Sequence, residues 1–304
     1  MSVVHSPLRY PGGKQVLARV LSHLLRLNGL IGGTYAEPYA GGGGAALWLL
    51  FGEYVDRILI NDADKRVFYF WESILNRTGK FLDLLTSTKP TPDEWHRQRD
   101  IYLAPSYYTP LRVGFATFFL NRCNRSGIIS RGGMIGGKRQ NGRWKIDARY
   151  NRVELAKRIR KIALFRDRIV ISKLDALDFI DGIDADPGKA ARTFVYLDPP
   201  YFKKGSQLYL NFYDPEDHAF VAAALRKKRR FQWVMTYDNV PEIRRLYRTM
   251  NLISFDLDYS ANNGRIGKEV LIYPDLLRFP SRWVRRIPSR YVTAADGIAI
   301  PVEG

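Results

Sequence analysis

The chain has 304 residues, 46% of them hydrophobic, so it can bury one large core or two smaller ones and does not belong to the disordered class. Its 48 Lys and Arg residues outnumber 30 Asp and Glu residues, and the formal net charge of +18 favours a polyanionic partner. A single cysteine, Cys123, excludes an intramolecular disulfide framework, and four scattered histidines form no zinc-binding pattern with it.

Membrane insertion and export are not expected. No apolar run reaches the roughly 20 residues that a membrane-spanning helix needs. The N-terminus shows no charged and then apolar pattern before Arg9. The sequence therefore predicts a soluble protein of the reducing cytoplasm.

Short apolar runs alternate with helical patterns, which is typical of a parallel sheet covered by helices on both faces. Strands at 252–259 and 270–273 flank a polar loop, 260–268, and are predicted to form a terminal antiparallel hairpin. The elements before the hairpin are, in chain order, helix 14–27, strand 35–38, helix 45–51, strand 57–61, helix 65–75, helix 152–164, strands 169–172 and 193–197, helix 215–228 and strand 232–236.

Basic residues concentrate between Arg122 and Arg168, where 15 Lys and Arg residues accompany three acids. Glycine and asparagine are frequent there, which predicts loops or a hairpin. We therefore expect an inserted surface domain at 76–166 that divides one α/β domain into the parts 1–75 and 167–277. Residues 278–304 are predicted to be a basic tail.

Four glycines, 41–44, follow the first predicted strand and the motif Glu-Pro-Tyr-Ala at 37–40. Glycine allows a tight turn from strand to helix and a close approach to a ligand, and the helix N-terminus offers unpaired amides. Asp62 and Asp64 follow the next strand, where a carboxylate can accept hydrogen bonds from two ribose hydroxyls. The pattern predicts a cofactor that contains adenosine, either a nicotinamide dinucleotide or S-adenosylmethionine.

The tetrapeptide Asp-Pro-Pro-Tyr, 198–201, follows the apolar strand 193–197 and should lie beside the glycine loop, because first and fourth strands are neighbours in such a sheet. The amino group of adenine or cytosine is a poor nucleophile because its lone pair is conjugated into the ring. The Asp198 carboxylate and the Pro199 carbonyl can accept its two hydrogens, and Tyr201 can stack on the base. The predicted catalytic residues are Asp198, Pro199, Pro200 and Tyr201.

These motifs, in this order, resemble the DNA adenine N6-methyltransferases of the Dam type, also called the D12 class. The resemblance covers most of residues 5–277 and shows the alpha order of cofactor motif, recognition insert and catalytic tetrapeptide, which implies that the inserted domain 76–166 recognises and binds the DNA target. It implies a Rossmann-like methyltransferase fold, S-adenosylmethionine as cofactor and extrusion of the target base from the duplex. It is carried by the segments 8–14, 37–44, 61–62, 121–151, 198–201 and 263–264 and by Lys268.

Residue by residue, the resemblance implies that Tyr10, Lys14 and Glu37 lie at the methionine end of the cofactor and that Asp62 binds its ribose. Asp175 is similar to the family acid near the cofactor adenine, and Asp178 is an alternative. The implied cofactor-binding residues are Tyr10, Lys14, Glu37, Pro38, Ala40, Gly41, Gly42, Gly43, Asp62, Asp175 and Asp198.

The insert departs from Dam, which carries an aromatic residue soon after its Asn-Arg pair, whereas this chain reads Asn-Arg-Cys-Asn-Arg-Ser-Gly at 121–127. The target sequence therefore does not follow from the resemblance. Cys123 lies in the insert with no Pro-Cys pair and is interpreted as an incidental thiol. Side chains suited to phosphate contacts and base-edge readout are predicted to bind DNA: Asn121, Arg122, Asn124, Arg125, Ser126, Lys138, Arg139, Lys145, Arg149, Asn263 and Lys268.

Together these observations predict an adenine-specific methyltransferase that acts on double-stranded DNA at a short specific sequence, by base flipping and direct in-line transfer. An RNA adenine N6-methyltransferase is one alternative, although the large basic insert favours duplex DNA. A non-catalytic DNA-binding protein on the same scaffold is another. The sequence is equally compatible with a monomer and a homodimer, and it predicts neither a metal nor a membrane partner.

Overall fold

The computed structural model describes residues 4–9, 14–202, 213–227, 229–259 and 265–280. Tyr10, Asn263, the Lys14 side chain and the tail beyond residue 280 lie outside the described part. Within these ranges, none of the helices combines the length and the hydropathy that a membrane crossing requires.

One seven-stranded sheet organises the molecule. Its strands are β1 (Gly33–Glu37), β2 (Val55–Asn61), β3 (Ile169–Ser172), β4 (Thr193–Leu197), β5 (Gln232–Asp238), β6 (Asn251–Tyr259) and β7 (Arg265–Tyr273). They lie in the order β3-β2-β1-β4-β5-β7-β6. The first five strands are parallel, and β7 runs antiparallel to both β5 and β6. The predicted α/β sheet with a terminal hairpin is confirmed.

The hairpin is longer than predicted. Its second strand begins at Arg265 rather than at Val270, and it pairs Lys268 with Asp256. Lys268 is exposed while the next residue, Glu269, is buried. Polar residues are tolerated here because an antiparallel strand pair at the end of a sheet can leave one face in water.

Helices cover both faces of the sheet. The helices on the first face are α1 (Ala18–Leu27), α2 (Gly44–Phe51), α3 (Lys65–Asn76), α4 (Thr78–Ser87), α5 (Pro92–Leu103), α6 (Pro110–Cys123) and α7 (Arg152–Leu164). Those on the second face are α8 (Ala176–Asp184), α9 (Pro187–Ala191), α10 (Pro215–Arg226) and α11 (Pro241–Leu246).

The central strand β4 shows why the sheet needs both layers. Phe194 and Tyr196 belong to the core on the first face, whereas Val195 and Leu197 belong to the core on the second. Successive strand residues point to opposite faces, so a strand covered on both sides is apolar throughout. The sheet therefore holds β4 between two cores.

Helices α4, α5 and α6 have no counterpart among the sequence predictions. Helix α6 buries every residue from 113 to 123, so it lacks the alternation of apolar and polar faces that reveals a helix. Its start carries a local signal, because the Thr109 hydroxyl caps the helix and Pro110 occupies the first helical position. The pair Thr91 and Pro92 begins α5 in the same way.

The segment 124–151, which we call the basic loop, connects α6 to α7. It contains turns and an isolated antiparallel bridge between Asn124 and Met134, in agreement with the predicted loop. Ile146 and Tyr150 are buried in the same core as α3 to α6. The basic loop is therefore anchored on the α/β core, and the division at 76 and 166 stays a prediction.

Candidate active site

Three loops meet at the carboxyl edge of the parallel sheet. Strand β1 lies between β2 and β4, which confirms the predicted pairing of the first and fourth strands. Because parallel strands end at one edge, the glycine loop after β1, Asp62 after β2 and the tetrapeptide after β4 are brought together. Glu37 and Asp198 are close enough for their carboxylates to interact electrostatically.

The glycine loop has a backbone that requires glycine. Gly41 has a φ of 47° and Gly43 a φ of 56°, in the left-handed region that disfavours other residues. A Cβ atom on Gly43 would lie 3.0 Å from the ring of Trp71 in α3. The Trp71 indole Nε1 donates a hydrogen bond of 3.0 Å to the Gly41 carbonyl, so this side chain both holds the loop and limits its size.

Asp62 faces the glycine loop from the end of β2. Its carboxylate oxygens accept hydrogen bonds from the Gly41 amide (3.0 Å) and the Asp64 amide (2.9 Å). Removal from water and, second, repulsion by the Asp64 carboxylate raise the pKa of Asp62 to about 7, against the opposing effect of the two amides. Its ability to accept further hydrogen bonds therefore changes near neutral pH.

A small pocket with an empty volume of about 160 Å³ opens beside Asp62. Apolar side chains from β2, β3 and α3 line most of it, and polar groups of β2 and β3 lie at its edge. The pocket thus places apolar surface next to the Asp62 carboxylate. The lining residues are Ala40, Ile60, Asn61, Asp62, Phe68, Trp71, Ile171 and Ser172.

Glu37, the last residue of β1, is buried. Its Oε1 accepts hydrogen bonds from the Tyr35 hydroxyl (2.9 Å) and from the Ala46 amide in the first turn of α2 (3.1 Å). Burial, with a smaller contribution from Asp198, raises the pKa of Glu37 to about 8, although both hydrogen bonds act in the opposite direction. The carboxyl thereby ties α2 to β1 directly beneath the glycine loop.

Asn61 joins the segments that follow β1, β2 and β3, a role that its local sequence does not indicate. Its Nδ2 donates to the carbonyls of Pro38 and Leu174, both at 3.0 Å. Its Oδ1 accepts from the Ser172 hydroxyl (2.7 Å) and the Leu174 amide (2.8 Å). Because the side chain is fully buried, it fixes the ends of β1, β2 and β3 relative to one another.

Asp198 is oriented by a chain of hydroxyl groups. The Thr236 Oγ1 on β5 donates to Asp198 Oδ1 at 3.0 Å. The Tyr196 hydroxyl lies 2.7 Å from Thr236 Oγ1. Because the threonine hydroxyl hydrogen is donated to Asp198, the Tyr196 hydroxyl is the donor in this second contact. The carboxylate is thus held at the end of β4 by groups on β4 and β5.

The tetrapeptide ends on an anchored aromatic ring. The Tyr201 hydroxyl donates to Oε1 of Glu269 at 2.9 Å, and Glu269 is buried on β7. The next residue is also fixed, since the Phe202 amide donates to Asp238 Oδ1 at 3.0 Å. The terminal hairpin therefore positions the Tyr201 ring, and nothing in the local sequence around Glu269 indicates this.

A second aromatic contact connects the glycine loop motif to the start of α10. The hydroxyl oxygens of Tyr39 and Tyr213 lie 2.9 Å apart, and their rings meet edge to face with centroids 6.0 Å apart. Nearby, His218 Nδ1 lies 2.7 Å from the Tyr237 hydroxyl, and burial lowers the pKa of this histidine. These side chains form a packed wall on the second face of the sheet.

The two candidate acids after β3 are distinguished by their place in the fold. Asp175 caps α8, with its side chain accepting from the Leu177 amide at 2.8 Å. It directly follows Leu174, whose amide and carbonyl are bound by Asn61 at the sheet edge. Asp178 lies in the first turn of α8, one step further from this edge. Which of the two acids lies near the cofactor adenine stays a prediction.

Two asparagines predicted to bind DNA are instead part of the interior. Asn121 donates to the Arg9 and Gly127 carbonyls (2.7 and 2.9 Å) and accepts from the Arg9 amide. Asn124 accepts from the Trp95 indole at 2.6 Å, and its amide hydrogens are used by two carbonyls of the basic loop. Both side chains are fully buried, so we correct their assignment to positioning of the basic loop.

Arg122 is also directed inwards. It is 9% exposed, and its Nε donates to the Arg149 carbonyl at 2.7 Å. Burial and neighbouring cations lower its pKa to about 9. Ser126 is half-buried in a tight turn with a φ of 54°. The predicted DNA-binding residues that are exposed in the described part of the chain are Arg125, Lys138, Arg139, Lys145, Arg149 and Lys268.

Cys123 ends α6 and is fully buried. Burial raises the pKa of its thiol well above the usual range. A thiol must ionise and meet its substrate to act as a nucleophile. The interpretation of Cys123 as an incidental thiol agrees with this position.

The sheet order, the glycine loop and the tetrapeptide agree with a known protein family. A family model described as D12 class N6 adenine-specific DNA methyltransferase matches residues 10–260, which is most of the chain. A search of curated proteins found no match to the chain. The matched span includes β1 to β5, both loops at the sheet edge and the basic loop, so the chain belongs to the D12 class N6 adenine-specific DNA methyltransferase family.

Proposed function

We propose that the protein transfers the methyl group of S-adenosylmethionine to N6 of adenine at a short specific sequence in double-stranded DNA. One observation carries this proposal: the paired strands β1 and β4 bring the glycine loop and the tetrapeptide Asp198 to Tyr201 to the same sheet edge. Family membership supplies the reaction class. The arrangement of the site supports the roles that we propose for individual residues.

The residues around the glycine loop fit S-adenosylmethionine. Gly41 and Gly43 give the loop the left-handed backbone turns that favour glycine, and Asp62 presents a carboxylate whose raised pKa marks a poorly solvated acceptor. Hydroxyl groups of a ribose would supply the solvation that this carboxylate lacks. Glu37 would lie at the methionine end and Asp175 at the adenine. The bound cofactor supplies an electrophilic methyl group on a sulfonium centre.

The tetrapeptide would activate the target base. The Asp198 carboxylate and the Pro199 carbonyl accept the two hydrogens of the adenine amino group, which localises its lone pair toward the methyl group. Pro199 and Pro200 carry no amide hydrogens that would compete for these acceptors. The Asp198 carboxylate would accept the proton that N6 loses when it is methylated. The protein contributes position and electrostatics.

Mass spectrometry of digested nucleosides tests this function and its two alternatives. The purified protein is incubated with S-adenosylmethionine and either unmethylated plasmid DNA or structured RNA. We expect N6-methyldeoxyadenosine in the DNA and no methylated adenosine in the RNA. Methylated RNA alone would favour the RNA enzyme, and DNA binding without any methylated nucleoside would favour a non-catalytic protein.

The contact between Tyr201 and Glu269 yields a prediction for the catalytic step. Glu269→Ala removes the acceptor that holds the Tyr201 hydroxyl, so we expect a lower kcat at nearly unchanged cofactor affinity. Tyr201→Phe removes the same hydrogen bond from the other side. The coupling energy between the two positions should be about 1.5 to 3 kcal/mol, the range for a hydrogen bond to a charged group.

A double-mutant cycle on kcat measures this coupling, and Glu269→Gln is the matched control because its side-chain oxygen still accepts from the tyrosine. We expect the Gln variant to retain most of the wild-type kcat. Additive effects of Glu269→Ala and Tyr201→Phe would contradict the assignment of Glu269 as a positioning residue.

Base flipping predicts a preference for weakened base pairs. A stacked adenine cannot bring its amino group to Asp198 at the sheet edge, so the base must leave the duplex at a cost of a few kcal/mol. A mispaired target has already lost part of this stabilisation. With the demethylated cofactor product present, we expect tighter binding when the target adenine is mispaired.

Binding titrations on matched duplexes test this preference, with Tyr201→Ala as the comparison. Loss of stacking on Tyr201 should weaken binding to both duplexes by roughly 1 to 3 kcal/mol while the mispair preference persists, since that preference arises in the DNA. Equal affinity of the wild-type protein for paired and mispaired targets would argue against flipping and for a single-stranded or RNA substrate.

The basic loop predicts a salt-dependent DNA contact. Arg125, Lys138 and Arg139 are exposed there, and together they bring three positive charges to one surface segment. Replacing all three with Ala should flatten the dependence of log K on log salt by about 0.9 for each phosphate that the variant no longer neutralises. Binding isotherms at several salt concentrations measure this slope.

Three exposed cations outside residues 76–166, Arg26, Arg57 and Lys189, provide the charge-matched control for this triple variant. Their replacement should leave the slope unchanged. If the basic-loop variant loses sequence discrimination at an unchanged slope, its residues contact base edges instead of phosphates. If neither property changes, the basic loop is not the DNA-binding surface.

A further inference from the structure

Trp144 occupies an unusual position on the basic loop. Its side chain is 61% exposed, although tryptophan is highly buried on average. The guanidinium of Arg143 lies over the ring, with its carbon 5.4 Å from the ring centre. The protein therefore presents a large aromatic surface to solvent with a cation over one of its two faces.

The backbone that carries Trp144 is fixed by one polar side chain. Gln140 Nε2 donates to the carbonyls of Ile135 (2.8 Å) and Gly137 (2.6 Å). Gln140 Oε1 accepts the Ile146 amide at 2.8 Å. Ile146 is 4% exposed, so the chain enters the core two residues after Trp144. Trp144 is thus held at the surface by the hydrogen-bonded turn around Gln140 before it and by the buried Ile146 after it.

Charge around this ring selects the kind of partner. Residues 138–149 contain one acid, Asp147, and five exposed cations. Covering the ring with an apolar protein surface would remove some of these cations from water without compensation. A nucleic acid offers phosphates to the cations and the flat face of a base to the ring. The five cations are Lys138, Arg139, Arg143, Lys145 and Arg149.

We propose that Trp144 is a stacking platform for a DNA base other than the target adenine. The basic loop then holds an unstacked base as well as phosphates, while Tyr201 takes the target at the sheet edge. Stacking on an aromatic ring tolerates any base, so Trp144 adds affinity without choosing a sequence. The inference rests on the proposed function, because it takes DNA as the substrate.

The test compares two polyanions with the full-length protein. A short random-sequence single strand offers phosphates and bases, whereas heparin offers negative charge without bases. Trp144→Ala should weaken binding to the single strand by roughly fivefold to a hundredfold, the scale of stacking on one base. Heparin affinity and the salt dependence of DNA binding should not change, and Trp144→Phe should retain most of the affinity.

Tyr107→Ala is the matched control. Tyr107 is 87% exposed in the turn between α5 and α6, and the neighbouring residues 101–111 carry no charge. This variant should bind both polyanions as the wild-type protein does. Thermal melts followed by circular dichroism should coincide for the three variants and the wild type, since neither ring contributes to the core.

Two results would overturn the proposal. An equal loss of affinity for the single strand and heparin would show an effect of charge or structure rather than stacking. Unchanged affinity for the single strand would show that Trp144 does not bind DNA. This conclusion would hold even if the variant changed the self-association of the protein. If DNA is not methylated but Trp144→Ala still selectively weakens DNA binding, the proposed function fails while the stacking platform stands.

Discussion

Asp198→Ala is expected to reduce methyl transfer to DNA by at least about a hundredfold while leaving cofactor affinity nearly unchanged. The carboxylate acts on the base, where it accepts an amino hydrogen and stabilises the charge that develops on N6. Removing one such preorganised group typically costs roughly 10² to 10³ in rate. Transfer of tritiated methyl groups to DNA gives the rate, and calorimetry gives the cofactor affinity.

The surroundings of Asp198 provide two comparisons. Thr236→Val removes the hydroxyl that orients the carboxylate but keeps the carboxylate itself, so we expect a loss of rate smaller than that of Asp198→Ala. Asp167→Ala removes an exposed carboxylate just before β3, at the opposite end of the parallel strands from the tetrapeptide, and should have no effect on the rate. Methyl transfer by Asp198→Ala within tenfold of the wild-type rate would show that the assigned role is wrong.

Asp62→Ala is expected to weaken cofactor binding by about 1.5 to 3 kcal/mol, the range for hydrogen bonds to a charged group. The side chain lies after β2 with both oxygens directed at the glycine loop and the start of α3. Ribose hydroxyls would donate to the same carboxylate. Calorimetric titration with S-adenosylmethionine measures the change, and an unchanged affinity would exclude Asp62 from the ribose site.

The raised pKa of Asp62 adds a pH dependence with a definite sign. The pKa is about 7 in the free protein, so the carboxyl is protonated below that pH and can no longer accept from two hydroxyls. Cofactor affinity should therefore fall as the pH is lowered from 8 to 6, by at most about tenfold per unit for one group.

The variant Asp62→Asn distinguishes the titration of Asp62 from that of Glu37. The pKa of Glu37, about 8, predicts a second transition in cofactor affinity at higher pH. The Asn variant should bind more weakly than the wild type at pH 8 and lose the dependence near pH 7. The transition assigned to Glu37 should persist. An identical pH profile for the wild type and the variant would contradict the titration of Asp62 in the cofactor site.

The parts of the site that the sequence predicts are those where the backbone dictates the residue type. The positive φ angles of Gly41 and Gly43 require glycine, and the apolar strand β4 leads directly into Asp198. Such features are local in the chain. Their meeting at one edge follows from the rules of parallel sheets, which the pairing of β1 and β4 obeys.

The remaining site residues act through contacts between distant positions. Trp71 holds a loop 30 residues earlier, Asn61 binds Leu174 across 113 residues, and Glu269 holds Tyr201 across 68. Each is an ordinary core or strand residue by local pattern. Asparagine is especially ambiguous. Its amide can form hydrogen bonds to a base edge, and it can equally well form hydrogen bonds to buried backbone groups, as it does in the basic loop.

Single-molecule sequencing of DNA from cells that express the protein tests the central claim most directly. The comparison strain expresses Asp198→Ala, and neither strain carries another adenine methyltransferase. The proposed function predicts N6-methyladenine at one short sequence throughout the DNA of the first strain and at none in the second. Unmodified adenine in both strains, or adenine methylated without regard to sequence, would contradict it.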